Sequence, residues 1–332
     1  MLRAGVIGVG VMGRHHARVY SELPGVELAA VADEDRGLAQ EVARAYGARA
    51  YGGCQEMLEQ EELHVASVAV PTRYHEPVAL EAIARGVHLL VEKPLAATLE
   101  EGQRIVEAAH EKGLKLAVGH IERFNPAVLE LKRCLEAGQL GKIYQIHARR
   151  LGPFPPRIKD VGVVIDLATH DLDVVRYLVG EPVERVYAEM GWTEHREYED
   201  IVSALLKFSN GTIGLLETNW LTPTKIRDLA VTGERGMFVL NYLTQELVFY
   251  AKDFPDTRWT ADTRSSGMRV IAGKKVTIPV VKREPLKVEI ESFLAAVRED
   301  RTPLVSGEDG LEVLSLALRL IRAGTHQAIV LS

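Results

Sequence analysis

The sequence predicts an α/β protein of two domains: an amino-terminal doubly wound parallel sheet, and an α+β domain with a large, open, mainly antiparallel sheet. The length of 332 residues corresponds to about two domains at roughly 150 residues each. Short apolar runs alternate with helix-period segments up to residue 120, and β-rich runs predominate after it. We therefore expect a first domain over residues 1–120 and a second over residues 121–332.

The first domain is predicted to contain five strands joined by helices. The candidate strands are nearly all apolar, as expected for strands covered on both faces, and span residues 2–7, 26–32, 65–70, 87–91 and 114–118. The clearest helix spans residues 99–112. Thr98 and Glu101 form a capping box at its start, and Gly113 ends it. This alternation predicts parallel strands with helical crossovers.

The second domain begins with a helix and continues mostly as strands. Asn125 is a predicted N-cap, followed by proline at the first helical position, and Gly138 ends this helix. A tight turn at Asn210-Gly211 predicts a hairpin. Its strands and the others cover residues 142–150, 201–208, 212–220, 226–232, 237–242 and 247–250, and the last two helices cover 286–299 and 311–323.

Composition excludes several classes of protein. The net charge is −6, so no global positive field favours a nucleic-acid partner. Cys54 and Cys134 lack metal-ligand or paired spacing, which argues against a disulfide framework and a metal site. No apolar run approaches the roughly 18 residues of a membrane span. Because the chain enters a glycine-rich strand almost at once, we expect no signal peptide and a cytoplasmic protein.

The first strand leads into a G-x-G-x-x-G motif that opens a helix. This spacing lets the backbone approach a pyrophosphate and directs helix-end N–H groups towards its charge. It predicts the dinucleotide site of a Rossmann domain, with five candidate binding residues: Gly8, Gly10, Val11, Met12 and Gly13. The alternative is that the glycines serve only turn geometry.

Asp33 lies 20 residues after the third glycine, at the end of the second strand. A carboxylate at this distance binds the ribose hydroxyls of the adenosine. Asp33, Glu34 and Asp35 would repel a 2′-phosphate, and Arg36 is a weak counterweight. We therefore predict NAD rather than NADP.

Two other groups of residues carry chemistry. Lys93 follows a buried strand, so it is expected at the carboxyl edge where ligands bind in doubly wound sheets. Asp166 and His170 are four residues apart and share one face if their segment is helical, which suits a proton-transfer pair. The alternatives are an ordinary solvated turn at Lys93 and a buried capping network at Asp166 and His170.

Together these motifs resemble the glucose–fructose oxidoreductase, inositol dehydrogenase and rhizopine-catabolism (Gfo/Idh/MocA) family over essentially the whole chain. The resemblance includes residues 71–75 (P-T-R-Y-H), residues 92–94 (E-K-P) and the D-x-x-x-H segment 166–170. It implies that Lys93 and His170 flank the nicotinamide and that Asp166 is a third catalytic residue. The other cofactor-site residues that it implies are Pro71, Thr72, His75 and Glu92. Arg73 departs from the family, since many relatives have Asn there.

The chemistry of these residues fits oxidation of a secondary alcohol. A base must remove the hydroxyl proton, and a cation should stabilise the developing alkoxide. We assign His170 as the base and Lys93 as the cation, although the two roles could be exchanged.

A basic loop over residues 149–159 contains three prolines and four cations, which indicates an anionic substrate. The candidate substrate-binding residues are Arg149, Arg150, Arg157, Lys225 and Arg227. The alternative is a solvated or interface charge cluster. Within the family, this pattern is most similar to members that oxidise UDP-N-acetylglucosamine, or its uronic acid, at the 3-hydroxyl.

Three other functions remain open: a dehydrogenase of a free sugar or inositol, an NAD-responsive sugar-sensing regulator, and an NAD-dependent glycosidase. Retention of both Lys93 and His170 argues against the regulator. The strands at residues 201–208 and 212–220 carry apolar residues on both faces, so we also expect a homodimer or homotetramer built through the second-domain sheet.

Overall fold

The computed structural model describes residues 1–155, 161–194, 197–252 and 274–325. The chain forms two compact units. The first comprises Met1–Phe124 and Arg283–Arg319, and the second comprises Asn125–Lys282 and the chain from Leu320, as far as these are described. The first unit therefore extends past the predicted boundary at residue 120 and includes a later segment.

The first unit contains a six-stranded sheet in which every neighbouring pair is parallel. Its strands are β1 (Leu2–Ile7), β2 (Val26–Ala32), β3 (Arg49–Tyr51), β4 (Val65–Val68), β5 (His88–Glu92) and β6 (Leu116–Gly119). The order β3-β2-β1-β4-β5-β6 reverses between β1 and β4. Ligands bind at such a reversal in doubly wound sheets. The predicted α/β class is confirmed.

Helices cover both faces of this sheet. The crossovers are α1 (Val11–Glu22), α2 (Arg36–Tyr46), α3 (Cys54–Gln60), α4 (His75–Ala84) and α5 (Leu99–Glu111). The apolar core on one face includes Tyr20 of α1, and the core on the other includes Ile83 of α4 and Ile105 of α5. The predicted capping box is present, because Thr98 Oγ1 accepts from the Glu101 N–H and Glu101 Oε2 accepts from the Thr98 N–H.

The second unit contains an eight-stranded sheet in the order β14-β13-β12-β11-β7-β10-β9-β8. Its strands are β7 (Ile143–Pro153), β8 (Val183–Gly191), β9 (Ile201–Phe208), β10 (Ile213–Asn219), β11 (Leu221–Gly233), β12 (Gly236–Asn241), β13 (Glu246–Ala251) and β14 (Lys274–Ile278). Only β7 and β10 pair in parallel among these described strands. The prediction of a large, mainly antiparallel sheet is confirmed.

Helices cover one face of this second sheet. They are α6 (Pro126–Glu136) and α7 (Thr169–Val179), and α7 is preceded by a π-helical turn at Val164–Ala168. Alternate residues of β7, among them Ile146 and Ala148, are buried on this covered face.

Two more helices follow in the chain, α8 (Pro285–Arg298) and α9 (Gly307–Thr325). Leu286, Ile290 and Phe293 of α8 join the core around α1, which returns this segment to the first unit. Within the described ranges, no helix is long and apolar enough to cross a membrane.

Candidate active site

The glycine-rich loop connects β1 to α1 in the first unit. Gly8 has φ +82°, and a Cβ there would lie 2.7 Å from the backbone nitrogen of Val70, so only glycine fits. A Cβ on Gly13 would overlap the carbonyl oxygen of Gly8. A Cβ on Gly10 would meet no described atom within 4 Å, and Gly10 caps α1 without a side-chain hydrogen bond. The start of α1 therefore leaves open space beside backbone N–H groups, which fits a pyrophosphate.

A cavity of about 630 Å³ opens at this loop. Five of the predicted cofactor residues line it together: Gly8, Gly10, Met12, Asp33 and Pro71. Val11 is exposed at the start of α1, and Gly13 is buried behind the loop. Thr72 lies in the 3₁₀ turn Thr72–Tyr74 that follows Pro71. Arg73, the residue at which the sequence departs from the family resemblance, also lines the cavity.

Asp33 is fixed at the end of β2. Its Oδ2 accepts a hydrogen bond of 2.8 Å from the Val9 N–H, and its Oδ1 accepts one of 2.9 Å from the Asp35 N–H. The carboxylate is therefore tied to the glycine loop on one side and to the start of α2 on the other. This places a fixed acceptor in the cavity, as binding of ribose hydroxyls requires.

Arg36, the nearest predicted counterweight to these acidic residues, is engaged elsewhere. Its Nη2 lies 3.4 Å from Glu56 Oε2, and a Cβ on Gly52 would lie 2.5 Å from its Nε. The guanidinium thus lies across Gly52 and pairs with an acid of α3. The local charge remains suited to unphosphorylated NAD.

Lys93 is half-buried directly after β5, and the Lys93–Pro94 peptide bond is cis. His75, one of the predicted cofactor residues, is 1% exposed and lies behind this turn. Its Nδ1 is 2.9 Å from the Pro94 oxygen and its Nε2 is 2.9 Å from the Val70 oxygen. Burial lowers the pKa of His75 below its ordinary value. The His75 ring therefore contacts a backbone oxygen of the cavity wall and a backbone oxygen of the Lys93 turn.

Asp166 and His170 lie on a continuous helical segment of the second unit, as their prediction required. Asp166 is buried in the π-helical turn, and His170 is half-buried in the first turn of α7. π-helical turns occur frequently at functional sites. No pattern in the sequence predicted this wider turn.

Glu199 supports the start of this π-helical turn. Its Oε1 accepts a hydrogen bond of 3.1 Å from the Val164 N–H, and its backbone oxygen accepts one from the Val163 N–H. A Cβ on Gly162 would overlap the Glu199 carboxyl group. Burial raises the pKa of Glu199 above its ordinary value. Sequence analysis missed Glu199, which lies 33 residues along the chain from Asp166.

The predicted basic patch is divided between the two faces of the second-unit sheet, because adjacent strand residues point in opposite directions. Arg149 lies on the open face, where Nε and Nη2 donate to both carboxylate oxygens of Asp228 at 2.8 and 2.6 Å. Arg150 lies on the covered face, where Nε and Nη2 donate to Asp171 at 2.8 and 3.0 Å. Arg149 and Arg150 therefore do not share one patch, and the prediction that they do is wrong.

The remaining predicted substrate residues differ in their surroundings. Arg227 lies opposite Arg150 in the pairing of β7 with β11, and its Nη1 donates to the Leu151 oxygen at 2.7 Å. Lys225 is exposed near Gly152 on that same covered face. Arg157 lies outside the described residues. The substrate-binding role of all five cations stays a prediction.

No group of three or more described His, Cys, Asp or Glu side chains is arranged to hold a metal ion. Residues 2–120 match the family model "Oxidoreductase family, NAD-binding Rossmann fold", and residues 128–239 match the "GFO/IDH/MocA C-terminal domain". The chain belongs to the Gfo/Idh/MocA oxidoreductase family. The protein is therefore an oxidoreductase with NAD as its cofactor, as the glycine loop and Asp33 predicted.

Two dehydrogenases in this family are similar to the protein along nearly the whole chain. The UDP-N-acetylglucosamine 3-dehydrogenase of Acidithiobacillus ferrooxidans is 32% identical over 96% of both chains. Its solved structure gives a TM-score of 0.85 at 31% identity, covering 97% of each chain. The NAD⁺-dependent scyllo-inositol 2-dehydrogenase of Bacillus subtilis is 28% identical, over 97% of this chain and 95% of that one.

A third relative was solved with ligands. The WlbA dehydrogenase of Bordetella pertussis, in complex with NADH and UDP-GlcNAcA, gives a TM-score of 0.79 at 25% identity. The match covers 97% of this chain and 96% of that one.

Proposed function

We propose that this oxidoreductase uses NAD to oxidise a secondary hydroxyl of a sugar, the 3-hydroxyl of a UDP-N-acetylhexosamine or its uronic acid. The observation that carries the proposal is the similarity, over 96% of both chains, to a UDP-N-acetylglucosamine 3-dehydrogenase. The catalytic residues in this proposal are Lys93, His170 and Asp166.

NAD, when bound, accepts the hydride that leaves the carbon bearing the hydroxyl. His170 takes the hydroxyl proton, and Asp166 orients the imidazole and favours its charged form. The Lys93 ammonium binds the hydroxyl oxygen and stabilises the negative charge that develops there. Exchange of the base and cation roles between His170 and Lys93 is compatible with the same stoichiometry.

The cations of the covered sheet face support an anionic substrate. Lys225 is exposed there, and Arg227 lies on the same face, so a diphosphate could pair with both. Arg150 is held by Asp171 and lies 5.2 Å from the ring centroid of Tyr242. We propose that Arg150 shapes this face and that Lys225 and Arg227 are the main phosphate ligands.

The second candidate is a dehydrogenase of free sugars or inositols, favoured by the match to the scyllo-inositol enzyme. An assay distinguishes the two candidate functions. The protein is incubated with NAD and one of five compounds: UDP-N-acetylglucosamine, its uronic acid, N-acetylglucosamine, scyllo-inositol or an aryl glycoside. We expect NADH formation only with the UDP-sugars, and a 3-keto product by NMR. NADH formation with the inositol alone would favour the second candidate. Release of the aglycone would identify a glycosidase. Binding of a sugar without NADH formation would identify a regulator.

We also propose a homodimer or homotetramer built through the open face of the second-unit sheet. One residue from each of seven strands lies directly opposite its neighbour, and together they form a mostly apolar row: Tyr187, Leu205, Leu215, His147, Ala230, Val239 and Val248. Tyr187 is 48% exposed and Leu205 is 43% exposed. A row of this kind is typical of a surface covered by another chain.

Leu205→Glu should shift the assembly towards monomers, because its carboxylate would be buried without a partner. Light scattering at micromolar concentration measures the mass. Val281→Glu is the matched control, since Val281 is 82% exposed and lies outside this row. A wild-type monomer at that concentration would refute the oligomer.

The cytoplasmic location also stays a proposal. Both cysteines are free thiols, which fits a reducing compartment.

A further inference from the structure

Behind the Lys93 turn lies a chain of hydrogen-bonded polar side chains inside the first unit. Tyr20 Oη is 3.0 Å from Ser67 Oγ, and Ser67 Oγ is 2.9 Å from His16 Nδ1. His16 Nε2 is 3.0 Å from Glu92 Oε1. Tyr20, Ser67 and His16 are fully buried, and Glu92 is 9% exposed. The chain joins α1, β4 and β5.

The charge of Glu92 fixes the direction of the hydrogen bond from His16. Burial acts to raise the pKa of the Glu92 carboxyl, but the hydrogen bond and electrostatic attraction of His16, together with the charge of Lys93, outweigh it, so the pKa lies below its ordinary value. An ionised carboxylate only accepts, so His16 donates through Nε2. Ser67 Oγ lies between His16 Nδ1 and Tyr20 Oη as the middle hydroxyl of the chain.

The other oxygen of Glu92 reaches the Lys93 turn. Glu92 Oε2 accepts a hydrogen bond of 3.2 Å from the Lys93 N–H. A Cβ on Gly119, at the end of β6, would lie 3.0 Å from the same oxygen, so a larger residue there would require Glu92 to shift. One carboxylate therefore contacts His16 on one side and the backbone of Lys93 on the other.

An apolar core would fill the space between α1 and the sheet at lower cost than four buried polar groups, each of which needs a partner. The polar chain ends beside only one residue with assigned chemistry, Lys93. We propose that His16 is a positioning residue that acts through Glu92 to hold the Lys93 turn and to keep a negative charge beside the Lys93 amine. This inference rests on the proposed role of Lys93 in the reaction.

His16→Leu removes both hydrogen bonds at similar volume, whereas His16→Gln retains an amide donor towards Glu92. We expect kcat to fall about 100-fold in His16→Leu, because small displacements of a reacting group have effects of that order. His16→Gln should recover most of that loss. The affinity for NADH, measured by fluorescence titration, should change less than about threefold because the glycine loop is built separately. His15→Leu is the control, since His15 is exposed on the same helix.

A second measurement does not depend on turnover. The protein without substrate is treated with acetic anhydride, and mass spectrometry follows acetylation of Lys93 relative to the other lysines. Without the His16 hydrogen bond, burial favours the neutral form of the Glu92 carboxyl. Loss of that negative charge makes a neighbouring ammonium easier to deprotonate, so Lys93 should react several-fold faster in His16→Leu. Glu92→Gln should show the same change if His16→Leu fails to fold. His16→Gln and His15→Leu should react as the wild type does.

The outcomes separate this inference from the proposed function. Wild-type Lys93 acetylation in His16→Leu and Glu92→Gln would refute the inference, as would equal loss of kcat in His16→Leu and His16→Gln. A Lys93→Ala variant with full activity would instead refute the proposed role of Lys93, while the acetylation rates still test how His16 acts on this lysine.

Discussion

Lys93→Ala and His170→Ala are each expected to lower kcat by at least about 1,000-fold, the upper part of the range for a lost acid, base or charge-stabilising group. NAD affinity should change only a few-fold, because the pyrophosphate and ribose contacts lie at the glycine loop and Asp33. Lys93 and His170 do not line the cavity at that loop. Steady-state kinetics with the accepted sugar and fluorescence titration with NADH measure the two effects separately.

Lys112→Ala and His110→Ala provide matched controls, since both residues are exposed at the end of α5. Their kcat and NADH affinity should equal those of the wild type. Loss of NADH binding in both Lys93→Ala and His170→Ala would contradict the division between cofactor binding and hydroxyl chemistry. Full turnover in either variant would remove that residue from the reaction.

The first-unit sheet was predictable because its strands are buried on both faces and therefore are continuous apolar runs. All five predicted strands are present. β3 was missed since it has only three residues at the sheet edge, and Arg49 and Ala50 in it are exposed. A strand without a buried face leaves little hydrophobic pattern in the sequence.

The candidate substrate patch shows a different limit of sequence reasoning. The sequence shows where cations cluster but not which acids they meet in the fold. Arg149 pairs with Asp228, which is 79 residues away, and Arg150 pairs with Asp171. Strand alternation could have separated the two arginines onto opposite faces, since they are adjacent in a predicted strand. Their partners depend on strand register and helix packing, which no local pattern encodes.

The contacts of His16 could not be predicted for the same reason, because its partners are distant in the sequence. The segment after the third glycine was correctly predicted as helical, and His16 lies three residues after Gly13 on its buried side. Its partners Ser67 and Glu92 come from two strands of the sheet, β4 and β5. A histidine on the buried face of a helix signals a polar partner in the core, but only the packed sheet identifies it.

The glycine loop supports the second large prediction. Gly13→Ala should lower the melting temperature and weaken NADH binding at least about 100-fold, or 2.7 kcal/mol. The added Cβ overlaps the Gly8 carbonyl oxygen, so α1 must move away from β1. Alanine is the better helix former by about 1 kcal/mol, but overpacking of this kind typically costs about 1–3 kcal/mol. Calorimetry and fluorescence titration measure the two losses.

Gly10→Ala separates the cofactor effect from the packing effect. Gly10 has φ −63°, which alanine adopts readily, and its added Cβ would meet no described atom within 4 Å. The melting temperature should therefore stay at the wild-type value. The methyl group nevertheless occupies the space in front of the α1 N–H groups, where a pyrophosphate must approach closely, so NADH affinity should fall at least about tenfold. Unchanged NADH affinity in Gly10→Ala would show that the phosphates bind elsewhere along the cavity.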